Sequence, residues 1–300
     1  MALFCYLLVI SMKSNTIIHM GKLIATDLDG TLFYPKKRIY MIKRKSLRFL
    51  RNHIDNGGKL VLVSGRNSEY LQKVVRRINR PVDVIGCNAS FIISDGKLIR
   101  NVGFNIDKTK DVLKKIEEEF QTKGMFIMSE DNRFVIREKF HSLIYRMVYQ
   151  IWNFFQGVYK EPSTVSKEQY NEIINTGKAK KIMVFFGVGR KNVLRSKEAN
   201  KIIREKYGDV VEGSWSNEFI ELSPAGCSKS EGLKYYLEYH KINHSDVYVV
   251  GDSGNDISMF EEFHENSFCM SHASLSVSKY AKHVIKHFSD LEKFIEQERK

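Results

Sequence analysis

The sequence predicts an α/β protein, a doubly wound parallel sheet with an inserted α+β domain. In residues 22–88, and again from residue 246, short apolar runs alternate with segments of helical periodicity. This is the pattern of repeated strand–helix–strand units. Residues 105–215 break the alternation with charged helices and paired strands. The insert is long enough to have its own hydrophobic core, so we expect two packed units.

The parallel sheet is predicted from apolar runs that stop at small or polar residues. Asn56-Gly57-Gly58 ends the first helix, because glycine readily adopts the left-handed conformation that closes a helix. The predicted elements of this sheet are strands at 22–27, 59–63, 82–86, 246–250 and 267–270, with helices at 41–55, 68–79 and 290–298.

The insert is predicted to combine three helices with two strand pairs and a single strand. Its helices are expected at 107–123, 143–155 and 192–207, and its strands at 125–128, 133–137, 181–186, 209–213 and 218–222. We expect the aromatic residues of its second helix to pack in the core of the insert, with a platform for substrate as the alternative. These residues are Tyr145, Tyr149, Trp152, Phe154 and Phe155.

The most informative stretch is Asp27-Leu28-Asp29-Gly30-Thr31-Leu32, directly after the apolar run Leu23-Ile24-Ala25. Side chains alternate along a strand, so Asp27 and Asp29 are expected to point the same way. Ligands of open α/β sheets bind at the carboxyl ends of strands. Two acids there can act as a nucleophile and as a proton donor or acceptor.

Three further polar motifs lie at strand ends or in loops. Ser64-Gly65-Arg66 follows the second strand, Lys229 follows Gly226, and Gly251-Asp252-Ser253-Gly254-Asn255-Asp256 follows the strand at 246–250. Carboxylate oxygens bind a hard cation, whereas a hydroxyl and an ammonium group bind phosphate oxygens. Acid, hydroxyl, ammonium and acid in this order indicate phosphoryl transfer.

Together, the four motifs resemble those of the haloacid dehalogenase-like (HAD) phosphatase superfamily. The forms DLDGTL and GDSGND look most like its Cof-type branch, and the resemblance covers residues 22 to about 290. It implies a Rossmann-like HAD core, with a C2-type α+β cap inserted between the second and third motifs. It also implies an HAD-type phosphoric monoester hydrolase that uses Mg²⁺.

The resemblance gives each motif residue a role. Asp27 would be the nucleophile, and Asp29 would protonate the leaving oxygen and then activate water. Magnesium would be held by Asp27, Asp29 through its main-chain carbonyl, Asp252 and Asp256. For Asp256 and Asn255, the alternative role is to cap the helix that begins near Ile257. The implied substrate- and phosphate-binding residues are Ser64, Gly65, Lys229, Asn255 and Asn88.

The predicted domain organisation follows from the position of the insert. We expect an N-terminal extension at 1–20, a catalytic core at 21–104 and 216–300, and a cap that determines substrate specificity at 105–215. The extension is predicted to be disordered or to reflect an over-extended start, with Met20 as the natural start, because the resemblance implies a first strand very near the N-terminus. Its apolar run is shorter than the roughly 20 residues that a membrane-spanning helix needs. Secretion is the alternative.

Composition argues against several other functions. The formal net charge is +13, but the basic residues are scattered and no zinc-finger, RNP or basic-zipper pattern accompanies them. We therefore expect neither nucleic acid nor membrane as a partner. The four cysteines are widely spaced and form no CxxC motif, which predicts a reducing, cytoplasmic location without structural disulfides or zinc.

The sequence therefore predicts a magnesium-dependent phosphatase that acts through an aspartyl-phosphate on small phosphorylated metabolites. Sugar phosphates are favoured over pyridoxal phosphate or a flavin nucleotide. A phosphomutase or phosphotransferase of the same superfamily is one alternative, and a non-catalytic binding protein on the same scaffold is another. The presence of Asp27, Asp29, Lys229 and Asp252 argues against the non-catalytic alternative.

Overall fold

The computed structural model describes residues 21–35, 42–138, 141–156, 163–216 and 218–297. They form an eight-stranded and a six-stranded sheet, with helices packed against both. The predicted fold class, a parallel α/β core with an inserted α+β unit, is confirmed. The predicted extension at 1–20 lies outside the described residues.

The first part of the chain alternates strands with helices and then turns back in a hairpin. Its elements are β1 (Leu23–Thr26), α1 (Arg44–Asp55), β2 (Lys59–Val63), α2 (Ser68–Ile78), β3 (Asp83–Gly86), β4 (Phe91–Ser94) and β5 (Lys97–Asn101). All four residues of β1 are buried, as in a strand covered on both faces of its sheet. The sequence patterns did not predict β4 and β5. The chain reverses before β4 through left-handed backbone at Cys87, Asn88 and Ala89.

The insert contains every strand and helix predicted for it, together with two short elements that were not predicted. Its elements are α3 (Ile106–Phe120), β6 (Gly124–Ser129), β7 (Phe134–Ile136), α4 (Ser142–Gln156), β8 (Ser163–Val165), α5 (Lys167–Asn175), β9 (Ala179–Phe185), α6 (Arg190–Tyr207), β10 (Val211–Ser216) and β11 (Phe219–Pro224). Helix α3 ends three residues before the predicted boundary, because Gln121 adopts a left-handed conformation with φ of 48°. The unpredicted β8 and α5 are too short to show a clear period.

The last part of the chain returns to the first sheet. Its elements are α7 (Lys229–His240), β12 (Val247–Gly251), α8 (Ile257–Glu262), β13 (Ser267–Met270), α9 (Leu275–Ser278), β14 (His283–Ile285) and α10 (Leu291–Gln297). Ser228 caps α7, since its side chain accepts a hydrogen bond from the Glu231 amide. None of the helices in the described ranges combines the length and apolarity needed to cross a bilayer.

The register of the eight-stranded sheet places the predicted motifs side by side. The strand order is β14-β13-β12-β1-β2-β3-β4-β5. Strand β1 runs parallel to both neighbours, and Thr26 is paired with Leu62 on one side and Val250 on the other. The residues that follow these three positions therefore leave the sheet at the same edge, where open α/β sheets bind ligands.

The six-stranded sheet forms the body of the insert, which we call the cap. Its order is β10-β11-β9-β6-β7-β8. One face packs against α3, α5 and α6 through buried residues such as Ile116, Ile173 and Ile203. Phe126 and Met128 belong to a cluster that also contains residues of the core. Because β11 continues this sheet to Pro224, beyond the predicted boundary at 215, we propose that the cap ends near residue 225.

Helix α7 passes so close to the turn after β3 that only glycine fits at position 232. A Cβ there would lie 2.4 Å from Cβ of Ala89 and 2.9 Å from Cγ2 of Ile85. We expect Gly232→Ala to destabilise the protein by about 1–3 kcal/mol, since overpacking outweighs the gain in helix propensity of about 1 kcal/mol. Urea unfolding measures the change. The exposed Glu238→Ala in the same helix is the control, and a stabilised Gly232→Ala protein would contradict the prediction.

Candidate active site

A buried lysine lies between two carboxylates at the carboxyl edge of the core sheet. Nζ of Lys229 donates to Oδ1 of Asp27 at 2.7 Å and to Oδ1 of Asp256 at 2.6 Å. The exposed fractions of these residues are 1%, 5% and 0%, respectively. Burial lowers the pKa of Lys229, but the carboxylates of Asp256 and Asp27 together raise it by a larger amount. The net shift of the pKa is upward, so the ammonium stays charged. Three elements far apart in sequence thus converge on one ionic cluster.

Asp27 is strongly influenced by its surroundings. Burial raises its pKa, Lys229 lowers it, and the carboxylates of Asp256, Asp252 and Asp29 raise it again, so that the net shift is well upward. Its backbone amide donates to the Val250 carbonyl at 2.9 Å, which fixes the residue to β12. A cation near these acids would favour the ionised form of Asp27.

Asp256 organises the loop of the fourth motif. Its Oδ2 accepts hydrogen bonds from the backbone amides of Asp252 and Ser253, each at 3.0 Å. Ser253 and Asp256 form a capping box at the turn that precedes α8, whereas the Asp256 side chain makes no capping hydrogen bond to α8 itself. Asn255 accepts a hydrogen bond from Ser253 Oγ at 2.8 Å.

Asp252 is positioned by the first motif and by the segment after β13. Thr31 Oγ1 donates to its Oδ1 at 2.9 Å, and Nε2 of His272 lies 3.4 Å from its Oδ2. Gly30 has φ of +88°, and a Cβ at this position would lie 2.2 Å from Oδ2 of Asp252. Glycine is therefore required at residue 30, both for its backbone conformation and for the close approach of the carboxylate.

The donor set suits a hard divalent cation. Carboxylate oxygens of Asp27, Asp252 and Asp256 all lie within 4.8 Å of one another. Three carboxylates and the Lys229 ammonium leave a formal charge of −2 in a largely buried space. Oxygen ligands and a doubly negative site fit Mg²⁺. Asp256 is 0% exposed and already accepts hydrogen bonds from Lys229 and two loop amides. The side chain of Asp252 is 15% exposed, so Asp27 and Asp252 are the better placed ligands.

Asp29 forms a two-pronged ion pair with an arginine to which the motif analysis gave no role. Nε and Nη2 of Arg66 donate to Oδ2 and Oδ1 of Asp29 at 2.7 and 3.0 Å. The guanidinium lies over the ring of Tyr70, 4.6 Å from its centroid. Such a fork fixes the orientation of a carboxylate. The only sequence signal was the position of Arg66, directly after Ser64-Gly65.

The loop of the second motif is joined to the turn after β3. Ser64 is 2% exposed, and its Oγ accepts from the Arg66 amide at 3.3 Å. The backbone amide of Asn88 donates to the Ser64 carbonyl at 3.1 Å. Asn88 has left-handed backbone with φ of 53°, a conformation that costs energy for a residue with a side chain. This turn places Asn88 beside the loop.

Two charged cap residues reach this loop, and neither was predicted as a site residue. Lys181 donates from Nζ to the Gly65 carbonyl at 2.7 Å and lies 3.4 Å from Oε1 of Glu221. Oε2 of Glu221 accepts from Nδ2 of Asn88 at 2.9 Å. Burial raises the pKa of Glu221, but Lys181 and the Asn88 hydrogen bond lower it by a larger amount, so the net shift of the pKa is downward. We call Lys181, Glu221 and Asn88 the cap–core cluster.

The predicted aromatic residues of α4 divide into two groups. Tyr145 and Tyr149 pack on the cap, with ring centroids 6.1 Å from Phe126 and 3.9 Å from Phe134, respectively. In contrast, Phe154 and Phe155 are 60% and 55% exposed, so the prediction of a core position is wrong for them. Both side chains lie near the end of α4, beyond the turns that contact the cap sheet. The side chain of Trp152 lies outside the described part of the chain.

A family model described as haloacid dehalogenase-like hydrolase matches residues 24–292. The chain belongs to this family. The match includes all four motifs and the cap between them, so the predicted HAD membership and Cof-type cap arrangement are confirmed, together with the prediction of an HAD-type phosphatase enzyme.

Curated relatives and solved structures are similar over most of their length. The chain is 24% identical over 266 residues to 5-amino-6-(5-phospho-D-ribitylamino)uracil phosphatase YbjI of Escherichia coli K12, covering 87% of this chain and 89% of the relative. It is 22% identical over 242 residues to pyridoxal phosphate phosphatase YbhA of the same organism, covering 80% and 84%. The structure of the HAD subclass IIB sugar phosphatase BT4131 superposes with a TM-score of 0.68 at 18% identity, covering 93% of this chain and 98% of that one.

The buried pair in the cap–core cluster can be tested by removing its cation. We expect Lys181→Met to lower the free energy of unfolding by about 3–5 kcal/mol, because Glu221 would keep its charge but lose its ion-pair partner. Adding Glu221→Gln should recover part of the loss, as a double-mutant cycle measures. The exposed Lys178→Met is the matched control. If Lys181→Met is no more destabilising than this control, the ion pair contributes nothing.

Proposed function

We propose that this enzyme is a magnesium-dependent phosphatase that hydrolyses small phosphorylated metabolites through an aspartyl-phosphate at Asp27. The observation that supports this most strongly is the buried contact of Lys229 with Asp27 and Asp256, at 2.7 and 2.6 Å, next to Asp252. It combines a nucleophile, a fixed ammonium for phosphate and an acidic metal site within one small space.

In the proposed first step, a carboxylate oxygen of Asp27 attacks phosphorus while the bond between phosphorus and the leaving oxygen breaks. Asp29 donates a proton to the leaving oxygen. In the second step Asp29 takes a proton from water, which attacks the phosphoryl group and releases phosphate and free Asp27. Both oxygens of Asp29 accept hydrogen bonds from Arg66. Arg66 would orient Asp29 for the second step, and one of the two bonds would open for Asp29 to carry the proton of the first step. Ser64, Lys229 and the amide of Gly65 would bind phosphate oxygens.

Magnesium bound at Asp27, Asp252 and the Asp29 carbonyl would neutralise charge on the phosphoryl oxygens. Asp256 would fix the residues around the metal, since its carboxylate accepts hydrogen bonds from Lys229 and from two loop amides. Asn255 lies in the same loop, and its Nδ2 would donate to a phosphate oxygen while its Oδ1 accepts from Ser253. A cytoplasmic location belongs to this proposal and is supported by the buried, free thiols of Cys87, Cys227 and Cys269.

Sugar phosphates are the proposed substrates. The cap–core cluster provides an ammonium, a carboxylate and an amide next to Gly65, and these groups suit the hydroxyls of a polar leaving group. Oδ1 of Asn88 is buried without a hydrogen-bond partner in the described structure, so a substrate hydroxyl could satisfy it. The names of the relatives support a small phosphorylated molecule: a sugar phosphatase, a ribitylaminouracil phosphatase and a pyridoxal phosphate phosphatase.

Removal of divalent metal should abolish hydrolysis of an aryl phosphate, and added magnesium should restore it, because three neighbouring carboxylates otherwise repel the phosphate. Asp252→Asn should raise the magnesium concentration needed for half-maximal rate. Steady-state rates in chelator, followed by titration with magnesium, measure both effects. Full turnover in chelator would rule out the metal assignment.

Asp27→Asn should leave essentially no turnover, because an amide cannot form the acyl phosphate. Asp29→Asn should lower kcat by about 10²–10⁴-fold, the usual contribution of a positioned acid or base. Aryl phosphate hydrolysis measures both, and thermal melting establishes that the variants fold. Asp209→Asn, on the exposed cap surface, is the control. A folded Asp27→Asn protein with a near-normal rate would contradict a covalent mechanism.

Among phosphorylated metabolites, sugar phosphates should give the highest kcat/KM, ahead of pyridoxal phosphate and flavin mononucleotide, because the cap–core cluster is polar. Release of inorganic phosphate from a panel of these compounds measures the ranking. Turnover should need no phosphorylated-sugar activator. A requirement for such an activator, with transfer to a sugar hydroxyl, would instead identify a phosphomutase.

A further inference from the structure

A concave surface between α1 and the end of α2 is lined by five arginines. It encloses about 380 Å³ and also contains Leu47, Asn52 and Asp55. We call it the arginine groove; its arginines are Arg44, Arg48, Arg51, Arg77 and Arg80. Asp55 is the one acidic residue in this lining, so five positive charges and one negative charge leave a local formal charge of +4.

Two of these arginines are fixed by the protein itself. Arg80 forms a two-pronged ion pair with Asp55, at 2.6 and 2.9 Å. Arg51 donates from Nε to the Ile78 carbonyl at 2.8 Å and from Nη2 to the Arg77 carbonyl at 3.2 Å. These bonds connect α1 to the end of α2 and hold two guanidinium groups in place at the groove.

The other three arginines are exposed, and no acidic side chain of the described structure pairs with their charges. The side chains of Arg44, Arg48 and Arg77 form no hydrogen bond or ion pair with any residue of the described structure. Arg44, Arg48 and Arg51 follow the spacing i, i+4, i+7 and therefore share one face of α1. Like charges at this spacing destabilise a helix, and within the described residues Asp55 alone offsets them in the groove. The fold thus maintains a concentrated positive charge at some cost in stability.

The groove is separate from the proposed active site. Helix α2 begins three residues after Gly65 and has 11 residues. At 1.5 Å per residue, this places Arg77 about 14 Å along the helix from Ser68, its first residue. The residues that line the groove include none of the proposed active site.

We propose that the arginine groove binds a small anion with two or more linked phosphates, such as an inorganic polyphosphate or a nucleoside polyphosphate. Guanidinium groups match phosphate oxygens in a two-pronged geometry, and several of them can engage adjacent phosphates. The volume of about 380 Å³ is that of a site for a small molecule. A concave surface of this size favours a compact ligand over an extended nucleic acid strand.

The test uses inorganic tripolyphosphate as the probe and the full chain in chelator, so that phosphoryl transfer is prevented. Isothermal titration calorimetry should show one ion bound per chain, with pyrophosphate weaker and orthophosphate weaker still. Arg48→Gln/Arg77→Gln should weaken binding by about tenfold or more, since two charge-assisted contacts are lost. Arg190→Gln/Lys191→Gln, at the exposed start of α6, removes the same charge elsewhere and should leave the affinity unchanged.

Several outcomes would overturn the proposal. Equal affinity in the parent and Arg48→Gln/Arg77→Gln would place the bound ion elsewhere, including at Lys229. Equal losses in both double variants would show a general effect of net charge. Tighter binding of a short single-stranded RNA than of tripolyphosphate, lost on Arg48→Gln/Arg77→Gln, would make the groove a nucleic acid surface. Thermal melting checks folding, and Arg44→Gln/Arg48→Gln provides a second variant if the first is unstable.

Discussion

The structure of this protein depends on one buried ionic contact, in which Lys229 bridges Asp27 and Asp256. Removing charged groups from water is costly, and the cost is recovered only when partners meet with good geometry. Here the partners come from the end of β1, the first turn of α7 and the loop after β12. Satisfying them requires the parallel register of the core sheet. The same contact concentrates negative charge around Asp252, which creates the proposed metal site.

Much of this core could be predicted from the sequence, because its signals are local. Apolar runs that stop at small or acidic residues predicted β1, β2, β3 and β12, and the motif spacing located Asp27, Lys229 and Asp252. The hairpin of β4 and β5 was missed for a physical reason. Its preceding turn places Cys87, Asn88 and Ala89 in left-handed backbone, where a sequence pattern would lead one to expect glycine.

The contacts between cap and core could not be predicted in this way. Lys181 and Glu221 lie 40 residues apart on neighbouring cap strands, and they meet Gly65 only once the cap is placed over the core. Their one local signal was a charged side chain within a strand that is otherwise buried. Arg66 is similar, because its partner Asp29 lies on a different strand end. Such residues are identified by three-dimensional proximity rather than by spacing along the chain.

The extension of β11 to Pro224 limits how cap domains can be exchanged between members of this family. Glu221 accepts a hydrogen bond from Asn88 of the core, and Lys229, eight positions later, completes the ionic cluster of the core. Only residues 225–228 lie between the end of β11 and the start of α7, so one short stretch of chain serves both domains. A cap transplanted from another family member would have to bring this stretch with it. Modular recombination at this junction is therefore constrained by the catalytic centre itself, whereas the entry into the cap before α3 is free of that constraint.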